Sequence, residues 1–130
     1  MDSSIRQLKV LVVDDIDSNQ RVAALMLERL GCDVEATDNG ESAVEMIADR
    51  IYDIVFMDCQ MPTLNGYDAT RMVRERESKG GHRTTIVAFT AQAMDGDREK
   101  CLAAGMDDYI SKPVSLEDFA TIVQQHLKKV

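Results

Sequence analysis

Hydrophobic and polar positions along this chain follow two alternating rhythms. Short apolar runs, "LKVLVVD" (8–14), "DVEATD" (33–38), "YDIVFMD" (52–58), "TIVAFT" (85–90) and "DDYISK" (107–112), recur between longer stretches with apolar residues three and four apart. The runs are too short for helices and predict strands. The first is β-branched and apolar enough for a strand buried on both faces.

The intervening stretches predict helices. "NQRVAALMLERLG" (19–31) takes its cap from Asp17 or Ser18 and stops at Gly31. In "GESAVEMIADR" (40–50), Ala43, Val44, Ile47 and Ala48 lie at helical spacing, and in "GYDATRMVRERESKG" (66–80), Ala69, Met72 and Val73 face inward. "AMDGDREKCLAAG" (93–105) is the fourth helix. "SLEDFATIVQQHLKK" (115–129) is the fifth, with Ser115 as its cap, Glu117 and Asp118 in its first turn, and Lys128 and Lys129 in its last. Both of its ends suit the helix dipole. Five strands alternating with five helices imply right-handed βαβ units, an α/β fold whose parallel sheet is covered on both faces. No repeat or linker interrupts the pattern, so residues 1–130 are expected to form one domain. In such sheets the ligand crevice lies beyond the carboxyl ends of the strands.

Those carboxyl ends hold nearly all the polar chemistry. The first run ends on Asp14 and Asp15, the third on Asp58, the fourth on Thr90 and the fifth on Lys112. Each alone reads as an ordinary turn or cap residue. Together they meet at one edge of the sheet, which turn chemistry does not require. Three carboxylates at close range repel one another and raise each other's pKa. A hard divalent cation relieves that repulsion, and carboxylate, backbone carbonyl and water are the ligands Mg²⁺ prefers. Lys112 adds a positive charge that need not touch the metal, and Thr90 adds a hydroxyl. A phosphoryl group fits such a pocket, because its transfer needs positioning and charge neutralisation more than covalent help. Asp58 is then the nucleophile, forming an acyl phosphate. Neither GxxxxGK[ST] nor GxGxxG occurs, so the site suits a single phosphoryl group and not a nucleotide.

Charge and cysteine usage narrow the setting. A net charge of -8 argues against a nucleic-acid or anionic-membrane surface. The apolar runs fall far short of the roughly 20 residues of a membrane span, and "MDSSIRQLK" lacks a signal-peptide core. The expected location is the cytoplasm. Cys32, Cys59 and Cys101 form no CxxC and read as buried thiols in a reducing compartment. Nothing cationic beyond Lys112 is placed to make Cys59 a thiolate. His82 and His126 have no ligand-spaced neighbours, so no zinc site is expected.

Over essentially its whole length the chain resembles the receiver domain of two-component response regulators. "VLVVDD", "DIVFMDCQMP", "NGYDATR", "IVAFTA" and "AAGMDDYISKP" fall in that family's order and spacing, and the wording is most like receivers of hybrid sensor histidine kinases and phosphorelays. The resemblance implies a flavodoxin-like (βα)5 fold with strand order 2-1-3-4-5 and a cis Lys112–Pro113 bond. It makes Asp58 the phosphoacceptor, fed by a phosphohistidine on a sensor histidine kinase or histidine-phosphotransfer protein. Asp15, Asp58 and the backbone carbonyl of Gln60 would bind Mg²⁺, with Asp14 acting through water. Lys112 would pair with the phosphoryl oxygens, Thr90 would hydrogen-bond one of them, and Tyr109 would turn inward as the aromatic switch. It further implies a regulatory domain that catalyses only its own phosphorylation and dephosphorylation, monomeric in isolation. Gln60 and Gln92 lie at positions that tune acyl-phosphate lifetime in this family. Ile16, where many relatives are polar, and Leu64–Asn65, where an Asp is frequent, are departures outside the key positions.

Two surfaces add expectations. On the first helix, Ala23, Met26, Leu27 and Leu30 share the core side, leaving Leu25 toward solvent and Val22 on the shoulder. Val22 and Leu25 are therefore candidates to dock a helix of the phosphodonor. The fourth helix begins poorly, with Gly96 and two Asp residues, and is expected to shift on phosphorylation. A haloacid-dehalogenase-like phosphohydrolase is a rival reading, but "DCQ" puts Gln60 where that chemistry needs a second Asp. A receiver-shaped interaction module that never takes phosphate is the other; it predicts a broken acidic pair or a missing Lys, and all are present.

Overall fold

Helices and strands alternate as the pattern requires in the computed structural model, which describes residues 8–90 and 97–127. The order is β1 (Lys9–Val13), α1 (Asp17–Arg29), β2 (Asp33–Thr37), α2 (Gly40–Asp49), β3 (Ile54–Asp58), α3 (Gly66–Glu77), β4 (Thr85–Thr90), α4 (Asp97–Ala103), β5 (Asp108–Ser111) and α5 (Leu116–Leu127). The strands form one parallel sheet in the order β2-β1-β3-β4-β5. The Lys112–Pro113 peptide is cis. Lys128, Lys129, Gln92 and Gly96 lie outside the described residues.

The sheet divides the core into two layers. On one face, Leu11, Val13, Val55, Met57, Ile86 and Ala88 pack against Ala43, Val44 and Ile47 of α2, Ala69 and Val73 of α3, and Cys101 of α4. On the other, Val10, Val12, Ile54, Phe56, Val87 and Phe89 meet Ala23 and Leu27 of α1 and Phe119, Ile122 and Val123 of α5. Phe56 stands edge-on to Phe119, with centroids 5.1 Å apart and planes at 88°. This geometry sets the positive ring edge against the negative face and adds about 0.5–1.5 kcal/mol to simple burial. All five residues of β3 are buried, so its terminal Asp58 sits on a rigid central strand.

Three local expectations are corrected. The cap of α1 is neither Asp17 nor Ser18. It is Ile16, whose side chain cannot cap, and the Ile16 N–H donates back to Asp14 Oδ1 at 2.9 Å. Ala48 is exposed, because Ala43, Val44 and Ile47 already centre the buried stripe of α2 and Ala48 lies about 100° beyond it. Met72 is 46% exposed for the same reason: Ala69 and Val73 cover the sheet and Met72 falls to the side.

Helix ends follow the expected chemistry elsewhere. Gly31, at φ 96°, closes α1 with two reversed bonds, Gly31 N–H to Glu28 O at 2.9 Å and Cys32 N–H to Leu27 O at 3.1 Å. Ser115 and Asp118 cap α5 reciprocally, each side chain accepting the other's backbone N–H.

Candidate functional site

The strand ends converge as expected. Asp14 follows β1 and is fully buried, Asp15 beside it is exposed, and Asp58 closes β3 with 4% of its surface accessible. One carboxylate oxygen from each of the three lies within 4.8 Å of the others. Thr90 closes β4, buried, and its carbonyl accepts the Lys112 N–H at 2.8 Å, which fixes the start of the β5 loop. Asp15, Asp58, Thr90 and Lys112, together with Ile16, Asn19 and Gln60, line an open cleft of about 180 Å³.

Lys112 supplies the only ammonium in this cleft among the described residues. Its Nζ lies 2.6 Å from Asp14 Oδ2 and 3.6 Å from Asp58 Oδ2, and 4.5 Å above the Phe89 ring. The lysine thus binds Asp14 more closely than Asp58. Burial is the main influence on Asp58 and pushes its carboxyl up to about 6; the Gln60 N–H bond and Lys112 pull it down, while Asp14 and Asp15 push it up. One cation against three carboxylates leaves the cleft net negative. A divalent cation is the partner that excess calls for.

The loop after β3 is held under strain. Thr63 adopts φ 70°, which β-branched residues rarely do, in a tight turn closed by Leu64 N–H to Pro62 O at 2.8 Å. Asn65 then caps α3 by accepting from Asp68 N–H at 2.9 Å. Gly66 packs so near Asp58 that an added Cβ would fall 2.2 Å from the Asp58 carbonyl oxygen. Only glycine lets α3 begin this close to the Asp58 and Cys59 backbone.

Behind Asp58, Cys59 is buried and its Sγ lies 3.8 Å from Sγ of Cys101 on α4. Burial, and then the neighbouring Cys101, push the Cys59 thiol up to about 12. Tyr109 is half-buried on β5 and packs against the α2–α3 side of the core. On α1, Val22 and Leu25 are 51% and 61% exposed, as expected. Sequence reasoning missed Asn19, which joins the cleft from the first turn of α1, and Gly66, whose role is steric.

The response regulator receiver domain profile matches residues 10–124 of this chain. The chain belongs to the response regulator receiver domain family. Receivers are regulatory domains of two-component and phosphorelay signalling, and relatives of this one include receivers of hybrid and sensor histidine kinases. The chain is 40% identical over 127 residues to probable histidine kinase 2 of Oryza sativa subsp. indica, covering 87% of this receiver and 12% of that protein. It is 40% identical over 126 residues to hybrid signal transduction histidine kinase G of Dictyostelium discoideum, covering 95% of this receiver and 4% of the kinase. The receiver therefore spans a small fraction of the curated relatives it matches. Its structure superimposes with a TM-score of 0.84 on the receiver domain of sensor histidine kinase PA1611 from Pseudomonas aeruginosa PAO1, a structure with a magnesium ion coordinated in its active-site cleft. Identity is 41%, over 93% of this chain and 98% of that one. The receiver of Saccharomyces cerevisiae Ssk1, solved with the histidine phosphotransfer protein Ypd1, matches at 30% identity and TM-score 0.83, covering 92% of this chain and 88% of that one.

Proposed function

We propose that this receiver accepts a phosphoryl group on Asp58 from a phosphohistidine of a histidine kinase or histidine-phosphotransfer protein, and that residues 1–130 act as one such unit in the cytoplasm. The observation that carries the reading is the convergence of Asp14, Asp15 and Asp58 within 4.8 Å at a strand edge that also holds Lys112 and Thr90.

The donor set fits Mg²⁺. Asp15, Asp58 and the Gln60 carbonyl would hold it directly, and Asp14 through water. Bound there, Mg²⁺ would neutralise charge on the phosphoryl oxygens and lower the repulsion between the carboxylates. The remaining work belongs to the chain. β3 holds the Asp58 carboxylate at a fixed position, which supplies orientation before the donor arrives. Lys112, already within 3.6 Å of Asp58, turns from Asp14 toward the added phosphoryl oxygens. The Thr90 hydroxyl donates to another of those oxygens, and Tyr109 follows inward to fill the space Thr90 leaves. α4 shifts with them. The domain regulates, catalysing only its own phosphorylation and dephosphorylation.

For the donor, exposed Val22 and Leu25 on α1 offer an apolar footing beside the cleft, and Ile16, 51% exposed, extends it. Ssk1 and Ypd1 form a receiver–phosphotransfer complex, and a like partner is proposed here. Intact mass after incubation with acetyl phosphate and Mg²⁺ tests the acceptor. The expected result is a gain of one phosphoryl group that needs Mg²⁺ and disappears in Asp58→Asn. No gain in the wild type, even with a cognate phosphodonor, would favour an interaction module that works without phosphate. Leu25→Ala tests the footing: it should slow transfer from a protein phosphohistidine and leave acetyl phosphate labelling unchanged.

A further inference from the structure

Cys59 follows the proposed phosphoacceptor directly and Cys101 sits on α4, 42 residues later, yet their sulfurs are 3.8 Å apart. Nothing in the acceptor chemistry uses either thiol. We infer that Cys59 and Cys101 form a reversible disulfide that staples α4 to the loop after β3. A disulfide requires sulfurs at about 2.0 Å, so the pair must close by about 1.8 Å, within reach of side-chain and small helix adjustments. Cys32, the third cysteine, packs in the opposite core layer and takes no part.

Burial decides when the bond can form. Cys59 and Cys101 are 1% and 0% exposed, so an oxidant reaches them only when α4 lifts. Of residues 98–103 of α4, Cys101 alone is buried, so few apolar contacts hold this stretch, as in segments that open locally at low cost. The co-reactant is hydrogen peroxide, a small two-electron oxidant of thiols. In the lifted state Cys101 Sγ attacks one peroxide oxygen; the O–O bond breaks, and the leaving oxygen departs as water with the thiol proton. The product is a sulfenic acid. As α4 returns, before Cys59 is sealed from water, Cys59 gives up its proton and its Sγ attacks that sulfur; the S–O bond breaks and the hydroxyl leaves as a second water with that proton. Two thiols lose two electrons and one peroxide becomes two waters. Reduction by a thiol restores the pair.

The bond holds α4 in the arrangement seen here. Its effect on signalling rests on the proposed function, since it opposes any shift of α4 that follows phosphorylation of Asp58. The bond itself does not depend on that reading.

The full chain, treated with hydrogen peroxide under native conditions, tests both parts. Mass analysis should show loss of two hydrogens, a Cys59–Cys101 cross-linked peptide, and Cys32 still open to alkylation. Cys101→Ser and, separately, Cys59→Ser should abolish the cross-link. Hydrogen exchange of α4 amides should slow by on the order of tenfold in the oxidised protein and recover with reductant. Beryllofluoride with Mg²⁺, as a mimic of the phosphorylated state, should bind the oxidised form more weakly than the reduced form. Mass gains of oxygen atoms without a cross-link, links between chains, or links to Cys32 would overturn the assignment. A cross-link with unchanged α4 exchange would overturn the staple. Equal beryllofluoride affinity of both forms would overturn its control of the switch, whereas no binding to either form counts against the acceptor reading and leaves the bond standing.

Discussion

Asp58→Asn in the metal-free protein isolates the cost of holding a carboxylate at this strand end. Burial, outweighing the Gln60 N–H bond and Lys112, raises the Asp58 carboxyl from 3.8 to about 6. The folded protein therefore holds that proton more tightly than the unfolded chain does. The sign follows directly: the wild type is unaffected by this group below about 3.8, loses stability as pH rises through about 6, and carries the full penalty above it. A rise from 3.8 to about 6 corresponds to about 3 kcal/mol. Asparagine keeps the shape and the oxygen that accepts from Gln60 N–H, at 3.1 Å in the wild type, and removes the charge. With chelator present at pH 7.5, Asp58→Asn should be more stable by about 2–3 kcal/mol, or roughly 10 °C in Tm for a chain of this size. At pH 4 the gain should vanish. Urea and thermal unfolding at both pH values provide the assay. Mg²⁺ should raise the wild-type midpoint and leave the variant nearly unmoved, since only a ligand that prefers the folded state stabilises it. A variant no more stable than wild type at pH 7.5, or equally favoured at both pH values, would refute the argument that burial penalises the Asp58 charge.

Three further outcomes follow from the geometry. Gly66→Ala should cost at least about 2 kcal/mol in urea unfolding and lower the yield of phosphorylated protein, because its Cβ would meet the Asp58 carbonyl at 2.2 Å. Thr63→Gly should raise stability by about 0.5–1 kcal/mol, as it relieves φ 70° at a β-branched residue against a small gain in unfolded-chain entropy. Arg74→Met should cost about 3 kcal/mol in the same assay. It strips Asp107 of one ion-pair partner and leaves the Thr84 and Gly105 carbonyls without the guanidinium that reaches them at 2.7 and 2.8 Å.

Much of this was legible in the sequence, and the reasons are physical. β1, β3 and β4 are buried on both faces, so their apolar runs stand out against amphipathic helices, and right-handed crossovers leave few ways to connect them. The polar residues that end those runs must share an edge, which brought Asp14, Asp58, Thr90 and Lys112 together on paper as they are in space. The misses have equally definite causes. Periodicity locates the centre of a buried stripe but not its width, so it places Ala48 and Met72 inside although both are exposed. Cap preference pointed to Asp17 or Ser18, whereas the Asp14 carboxylate both accepts the Ile16 N–H and binds Lys112. The positive φ at Thr63 hides behind a β-branched residue that ordinarily avoids it. The meeting of Cys59 and Cys101 comes from packing α4 against the loop after β3, which no local pattern records.

The sheet separates the core into an α1–α5 layer and an α2–α3–α4 layer. A donor that stands on α1 therefore occupies one side of the molecule, while α4 belongs to the other. On the proposed reading, giving and reading need not take turns, because the donor's footing on α1 and the responding α4 lie on opposite faces of the sheet. Such a receiver would work as a relay of three bodies at once, with the sheet as the wall between the two conversations.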